Sequence, residues 1–267
     1  MIGQEKILSM INNSTLDTFP NSLILLGEKG SGKHSLTNLI SEHLHLQIVD
    51  ISEKLTQEMI DEIYMKPEPY IYVISSDKLN IKNQNSILKF LEEPLKNSYI
   101  ILLVENKNML LPTIINRCQI WQLEKYTKEQ LKTLLGKNQD ENILDVVTTP
   151  GDIEMMSHVN NNYDEMLLLC EKIVDKIPVA SFSNVLSISD KIKFTEKDKN
   201  NENKYDLTIF LKVLLNVSKL KVLQNENVYY QNVYECVKNL CNNMQILNIN
   251  KKVTFENYLV KMKEITC

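Results

Sequence analysis

Arginine is almost missing from this chain. Of its 30 basic residues 29 are lysine, and Arg117 is the one arginine among 267 residues, while asparagine occurs 30 times. The scarcity fits A/T-rich codons and carries no function, but it makes the one retained guanidinium worth following. Long apolar runs are missing as well. None approaches the ~18 residues that cross a membrane, and Met1-Ile2-Gly3-Gln4-Glu5-Lys6 lacks the basic-then-apolar pattern of a secretion signal. No membrane role and a cytoplasmic location are expected. Excess positive charge is absent: the net charge is −4, which excludes a protein that coats nucleic acid unaided. Cys118, Cys170, Cys236, Cys241 and Cys267 are odd in number and contain no Cys-x-x-Cys pair. Neither a zinc ribbon nor a disulfide framework is expected, and reduced, buried thiols are the simple reading. His43 and His45 stand two apart with no further ligands near them, too little for a metal site.

What is present has a clear order. The length suggests two or three domains, and 43% hydrophobic with 24% charged residues suits a globular fold. Apolar runs at Ser22–Leu26, Leu46–Ile51, Tyr70–Ile74, Tyr99–Val104 and Gln119–Leu123 predict five strands. Helical patterns lie between them at Ser35–Leu44, Thr56–Tyr64, Asn83–Glu93 and Met109–Ile115. Near-continuous apolar strands alternating with helices predict a parallel sheet covered on both faces. After Leu123 strand signals stop. Helices are expected over Thr127–Leu135, ending at Gly136, then over Glu141–Val147, Asp152–Val159, Tyr163–Lys176, Tyr205–Leu223, Val228–Leu247 and Phe255–Ile265. Asn160-Asn161-Asn162 marks a joint, and the charged stretch Asp190–Lys204 reads as a surface loop. The expected domains are an α/β core over 1–124, a small helical lid over 125–165 and an all-helical domain over 166–267. Residues 1–124 hold 11 basic and 15 acidic side chains, and residues 125–267 hold 19 of each, with no compact basic patch. Any contact with DNA must therefore come from a folded surface or from partners.

Gly27-Glu28-Lys29-Gly30-Ser31-Gly32-Lys33-His34-Ser35 follows the first strand and opens the first of these helices, the setting a P-loop requires. Glycines let backbone N–H groups turn toward phosphate oxygens, Lys33 would reach the β- and γ-phosphates, and the helix N-terminus adds partial positive charge. The next residue should carry a hydroxyl for magnesium, yet it is His34, and imidazole is a poor magnesium ligand. Ser35 has the hydroxyl one residue late, rotated ~100° around the helix. After the third strand, where an acidic pair would hold the metal, stand Ile74 and Ser75, with Asp77 two or three residues too far along. Nucleotide binding is expected; magnesium-assisted hydrolysis is compromised.

Two further stretches carry a resemblance. One is Asn83-Gln84-Asn85-Ser86-Ile87-Leu88-Lys89-Phe90-Leu91-Glu92-Glu93-Pro94. The other runs from Ile100 through Asn106 and Leu110-Leu111-Pro112 to Asn116-Arg117-Cys118-Gln119. With the Gly3-Gln4 opening, they resemble AAA+ clamp-loader subunits, most of all the delta-prime subunits of bacterial DNA polymerase III. The specific motifs cover about residues 1–123. The resemblance implies an AAA+ P-loop core, a lid and a helical collar. It places the family's arginine finger on Arg117, its Ser-Arg-Cys motif appearing here as Asn116-Arg117-Cys118. It places a γ-phosphate-sensing polar residue on Asn106. It implies ATP at a degenerate P-loop formed by Gly27, Gly30, Gly32, Lys33, His34 and Ser35, with magnesium left open. It also implies a hetero-pentamer with other clamp-loader subunits, acting on a sliding clamp and on primer–template DNA through the assembly. The family's four-cysteine zinc module is expected to be absent. The lid arginine of its motor subunits is missing from Pro150-Gly151-Asp152-Ile153-Glu154. That pattern suits a stator, which completes another subunit's site in trans. The alternatives are an active AAA+ motor of a clamp loader or helicase loader, a P-loop nucleotide kinase, which a single arginine argues against, and a regulatory scaffold with a decayed site.

Overall fold

The structure, a computed structural model, describes residues 2–53, 55–65, 69–75, 79–95, 98–135, 141–158, 163–194, 205–244 and 249–265. The chain divides into two compact units, residues 1–133 with 149–151, and residues 134–148 with 152–267.

The first unit is the expected α/β core. Its strands are β1 (Ser22–Leu26), β2 (Gln47–Asp50), β3 (Tyr70–Ser75), β4 (Tyr99–Val104) and β5 (Gln119–Gln122), with helices α1 (Glu5–Asn12), α2 (Lys33–Leu44), α3 (Gln57–Met65), α4 (Ile81–Glu92), α5 (Pro112–Ile115) and α6 (Lys128–Lys132). The strands form one sheet in the order β2-β3-β4-β1-β5, all parallel. The period of two sorts β4 onto both faces. Ile100, Leu102 and Val104 join Ile60, Phe90 and Leu91 on one side, whereas Tyr99, Ile101 and Leu103 join Leu36, Ile40 and Trp121 on the other. All six β4 residues are buried, as a central strand with helices on both sides requires.

The Gly3-Gln4 opening has a packing role. Gln4 is wholly buried, donates from Nε2 to the Glu124 carbonyl and accepts the Glu124 N–H at Oε1, both at 2.9 Å. Gly3 has φ +75 and lies so close to Gln130 that a Cβ would fall 2.9 Å from Nε2. Gln130 is held in turn by its capping box with Thr127. Replacing Gln4 by alanine removes both hydrogen bonds to the Glu124 backbone and leaves a void at a wholly buried position. We expect a loss of about 2–4 kcal/mol in urea unfolding; a loss under about 1 kcal/mol would contradict this pairing.

The second unit is helical, built from α7 (Pro150–His158) beyond its first two residues, α8 (Tyr163–Lys176), α9 (Phe182–Leu186), α10 (Leu207–Gln224), α11 (Val228–Asn243) and α12 (Lys251–Glu264). The α10 helix buries residues on most of its circumference, among them Leu207, Phe210, Val213, Leu214 and Val217. Asp206 caps it by accepting the Thr208 and Ile209 N–H groups. The Tyr229 hydroxyl donates to the Val174 carbonyl at 2.6 Å and ties α11 to α8. Asp152, 1% exposed, accepts from the Thr148 N–H and from Lys212 Nζ on α10. No helix among the described residues is long and apolar enough to cross a membrane.

Several expectations need correction. Strands do not end at Leu123: β6 (Ile192–Lys193) and β7 (Tyr205–Asp206) pair in parallel. Two residues are too few to display a period, and only the burial of Ile192 and Tyr205 marks them. The helix expected over Met109–Ile115 is two pieces, a 3-10 turn at Lys107–Met109 and α5. Pro112 keeps Leu111 extended, at φ −64 and ψ 142, and starts a new helix. The Thr127–Leu135 helix stops at Lys132, and Glu141–Asp145 is 3-10. Helices α1 and α9 were not anticipated. Asp77, Gly136, Val159 with the three asparagines after it, 195–204 and Cys267 lie outside the described residues.

Candidate functional site

The sheet order puts β1 between β4 and β5, so the loop after β1 emerges where connections depart in opposite directions, the usual ligand crevice of an open parallel sheet. The Gly27 N–H donates to the Val104 carbonyl at 2.9 Å, joining this loop to the end of β4. Gly30 and Gly32 have φ +77 and +95, left-handed values that side chains disfavour. Helix α2 then begins at Lys33.

Every carbonyl from Gly27 to Ser31 accepts a hydrogen bond. Lys33 Nζ donates to Gly27 O at 2.7 Å and Glu28 O at 2.9 Å. Thr149 Oγ1 donates to Lys29 O at 3.2 Å, the Gly151 N–H to Gly30 O at 3.0 Å, and the Tyr126 hydroxyl to Ser31 O at 2.9 Å. Lys33 is buried, and burial pushes its ammonium pKa down against the pull of the Glu105 and Glu28 carboxylates. The Ser31 hydroxyl is buried with no hydrogen-bond partner among the described residues. The sequence announces the glycines and the lysine. It gives no local sign of Tyr126, Thr149 or Gly151, which close the loop from 95 to about 120 residues away.

Gly151 approaches Gly30 so closely that a Cβ on it would lie 2.5 Å from the Gly30 Cα. Backbone cannot yield as a side-chain tip can. Gly151→Ala is therefore expected to unseat residues 149–151 from the loop and to cost about 2–3 kcal/mol. Chemical denaturation with amide exchange at Gly30 and Gly151 measures this, and unchanged protection there would contradict it.

The remaining expected site residues fall as follows. His34 and Ser35 are exposed on the first turn of α2. Ile74 is fully buried, and the Ser75 N–H donates to Ser52 Oγ at 3.0 Å. Asn106 follows β4, but its Oδ1 accepts the Asn108 N–H and caps the next turn. Among the described residues, no group of three or more His, Cys, Asp or Glu side chains is placed to hold a metal ion. The glycine bends and the start of α2 suit a phosphate, while Lys33 is turned onto the loop's own carbonyls. The ligand chemistry for its magnesium, oxygen donors in an octahedron, does not fit His34 and Ile74.

Arg117 stands apart from all of this. It follows α5 and precedes β5, at the amino-terminal end of that strand. Register pairs Leu23 with Gln119 and Leu26 with Gln122 in parallel, so the P-loop leaves the opposite, carboxyl-terminal end of these strands. At ~3.3 Å per residue, Arg117 and the loop are separated by roughly 20 Å. The guanidinium is 35% exposed, donates from Nη2 to Glu92 Oε1 at 2.7 Å and from Nη1 to the Thr113 carbonyl at 2.9 Å. Glu92 is the last residue of α4, so the Leu-Glu-Glu-Pro and Asn-Arg-Cys motifs meet in space. Beside it, burial pushes the Cys118 thiol up to about 12.

Comparison with known proteins places these features. The family described as "DNA polymerase III, delta subunit" matches residues 41–127. The delta-prime subunit of DNA polymerase III from Bacillus subtilis (strain 168) is 24% identical over 221 residues, covering 78% of this chain and 64% of that protein. The delta-prime subunit from Haemophilus influenzae is 33% identical over 97 residues, covering 36% of this chain and 28% of that protein. This chain thus matches less than two thirds of the length of either relative. Among solved structures, a gamma-subunit-related protein of DNA polymerase III from Thermotoga maritima aligns over 98% of this chain and 99% of its own, with 15% identity and a TM-score of 0.47.

Proposed function

We propose that this delta-prime-like chain, an AAA+ subunit of the DNA polymerase III clamp-loader type, is a stator that lends Arg117 to a neighbouring ATPase subunit. One observation carries the reading. The chain's only arginine lies roughly 20 Å from its own P-loop along the strand direction, at the opposite end of the neighbouring strand. An arginine side chain cannot span that gap. If Arg117 contacts a phosphate, the phosphate belongs to another chain.

The electrostatics suit the role. A guanidinium is always charged, planar and forked, and grips phosphate oxygens at two points. At the neighbour's site it would stabilise charge that develops on the transferred phosphoryl group. This chain's own loop differs. Its carbonyls are all engaged and its lysine is turned inward. A nucleotide held here would rest on Gly27, Gly30, Gly32, Lys33 and the first turn of α2 at His34 and Ser35, with Asn106 nearby and without a magnesium shell. The chain by itself is expected to turn over no ATP. In the assembly, a neighbour's ATP sensed through Arg117 would favour the arrangement that opens a sliding clamp and grips primer–template DNA. The second unit would act as the collar that joins subunits.

The test reconstitutes the chain with its motor subunits, clamp and primed DNA, and compares Arg117→Lys with Lys33→Ala. Loss of ATP turnover with the first and not the second supports the stator. The reverse order, or turnover by the isolated chain, would overturn it.

A further inference from the structure

The geometry points to Glu92 as the residue that positions Arg117 for its phosphate, a role that rests on the stator reading and deepens it. Arg117 has five N–H donors. Two contacts from two different elements fix its plane: Glu92 Oε1 holds Nη2 at 2.7 Å and the Thr113 carbonyl holds Nη1 at 2.9 Å. Three donors stay open for an incoming anion. The anchor is itself fixed. Glu92 closes α4, and the Tyr64 hydroxyl reaches the carbonyls of Lys89 and Glu93 at 3.1 and 2.6 Å, clamping the end of that helix. Pro94 follows and prevents its extension.

Arginine has a long side chain with high rotamer entropy, and an unanchored one must be ordered when it meets the phosphate. Glu92 orders it beforehand, which is the condition for a group that acts by placement and charge. The pair does little else. With Glu92 50% and Arg117 35% exposed, such an ion pair adds little to folding stability. The carboxylate also takes only one edge of the fork, so phosphate can bind without displacing it.

The assembled complex with motor subunits, clamp and primed DNA reads the effect through ATP turnover. Glu92→Ala is expected to lower kcat about tenfold, leaving the KM for ATP and the melting midpoint of the chain unchanged, in line with the cost of a misplaced catalytic group. Glu92→Gln keeps an oxygen acceptor at the same reach and is expected to restore turnover to within about threefold of wild type. In an Arg117→Ala background, Glu92→Ala is expected to add nothing. If Glu92→Ala matches wild type or raises turnover, while Arg117→Ala abolishes it, the positioning role fails and the stator reading stands. If Arg117→Ala itself has no effect, the stator reading fails first.

Discussion

Arg117→Lys is expected to lower ATP turnover at the site completed by this chain by about 10³-fold or more in the assembled complex, the scale of a trans arginine in related NTPases. Charge is conserved in this substitution, so the loss isolates geometry. Lysine offers one compact ammonium in place of a planar fork, and it cannot hold Glu92 and Thr113 while also reaching two phosphate oxygens. Any other ATPase site in such an assembly would be untouched by the substitution, so the total steady-state rate would fall less than the rate at the affected site. Single-turnover measurement separates the two. Lys33→Ala should leave turnover near the wild-type level, because the Lys33 ammonium is engaged by carbonyls of its own loop. A tenfold fall with Lys33→Ala alone would reverse the assignment and make this chain a motor.

Asp152→Ala is expected to destabilise the second unit by about 3 kcal/mol, near the lower bound for breaking a buried ion pair. The carboxylate is 1% exposed and gathers three donors: the Thr148 N–H at 2.9 Å, Thr148 Oγ1 at 3.2 Å and Lys212 Nζ at 2.5 Å. Lys212 is 25% exposed, so water relieves part of its charge once the partner is gone. Lys212→Met reverses the situation, taking the ammonium away from a buried carboxylate that keeps the Thr148 donors, and should cost at least as much. The double variant Asp152→Ala with Lys212→Met should cost less than the sum of the two, since neither charge is then stranded. Urea unfolding followed by amide exchange on α10 reads all three. Simple additivity would show that the contact is not a working pair. The position is informative beyond stability. In the Pro150–Glu154 stretch this chain has an acid that serves its own packing.

Much of the first unit was legible before any coordinates. The five strands follow from apolar runs bounded by polar turns, and Ser22–Leu26 and Tyr99–Val104 were located to the residue. The P-loop was legible because its chemistry is local: glycines, lysine and helix start fall within nine residues. The second unit was read as helices but not in detail. A two-residue strand such as Ile192–Lys193 has no period to detect, and Pro112 divides a helix that its apolar pattern would have run together.

What the sequence determined by itself is therefore a set of local elements and one unusual arginine. Tertiary structure decided what that arginine can reach. Insertion of β4 between β1 and β3, and of β1 between β4 and β5, is a matter of strand pairing over long separations, which no periodicity encodes. Within that order β1 and β5 are parallel neighbours, which sets Arg117, before β5, and the P-loop, after β1, at opposite ends of adjacent strands. It also brings Glu92 to Arg117 across 24 intervening positions, and Tyr126, Thr149 and Gly151 onto the carbonyls of a loop about 100 residues earlier. Hydrogen bonds and ion pairs of this kind depend on distance and angle alone, and chain neighbours carry no trace of them.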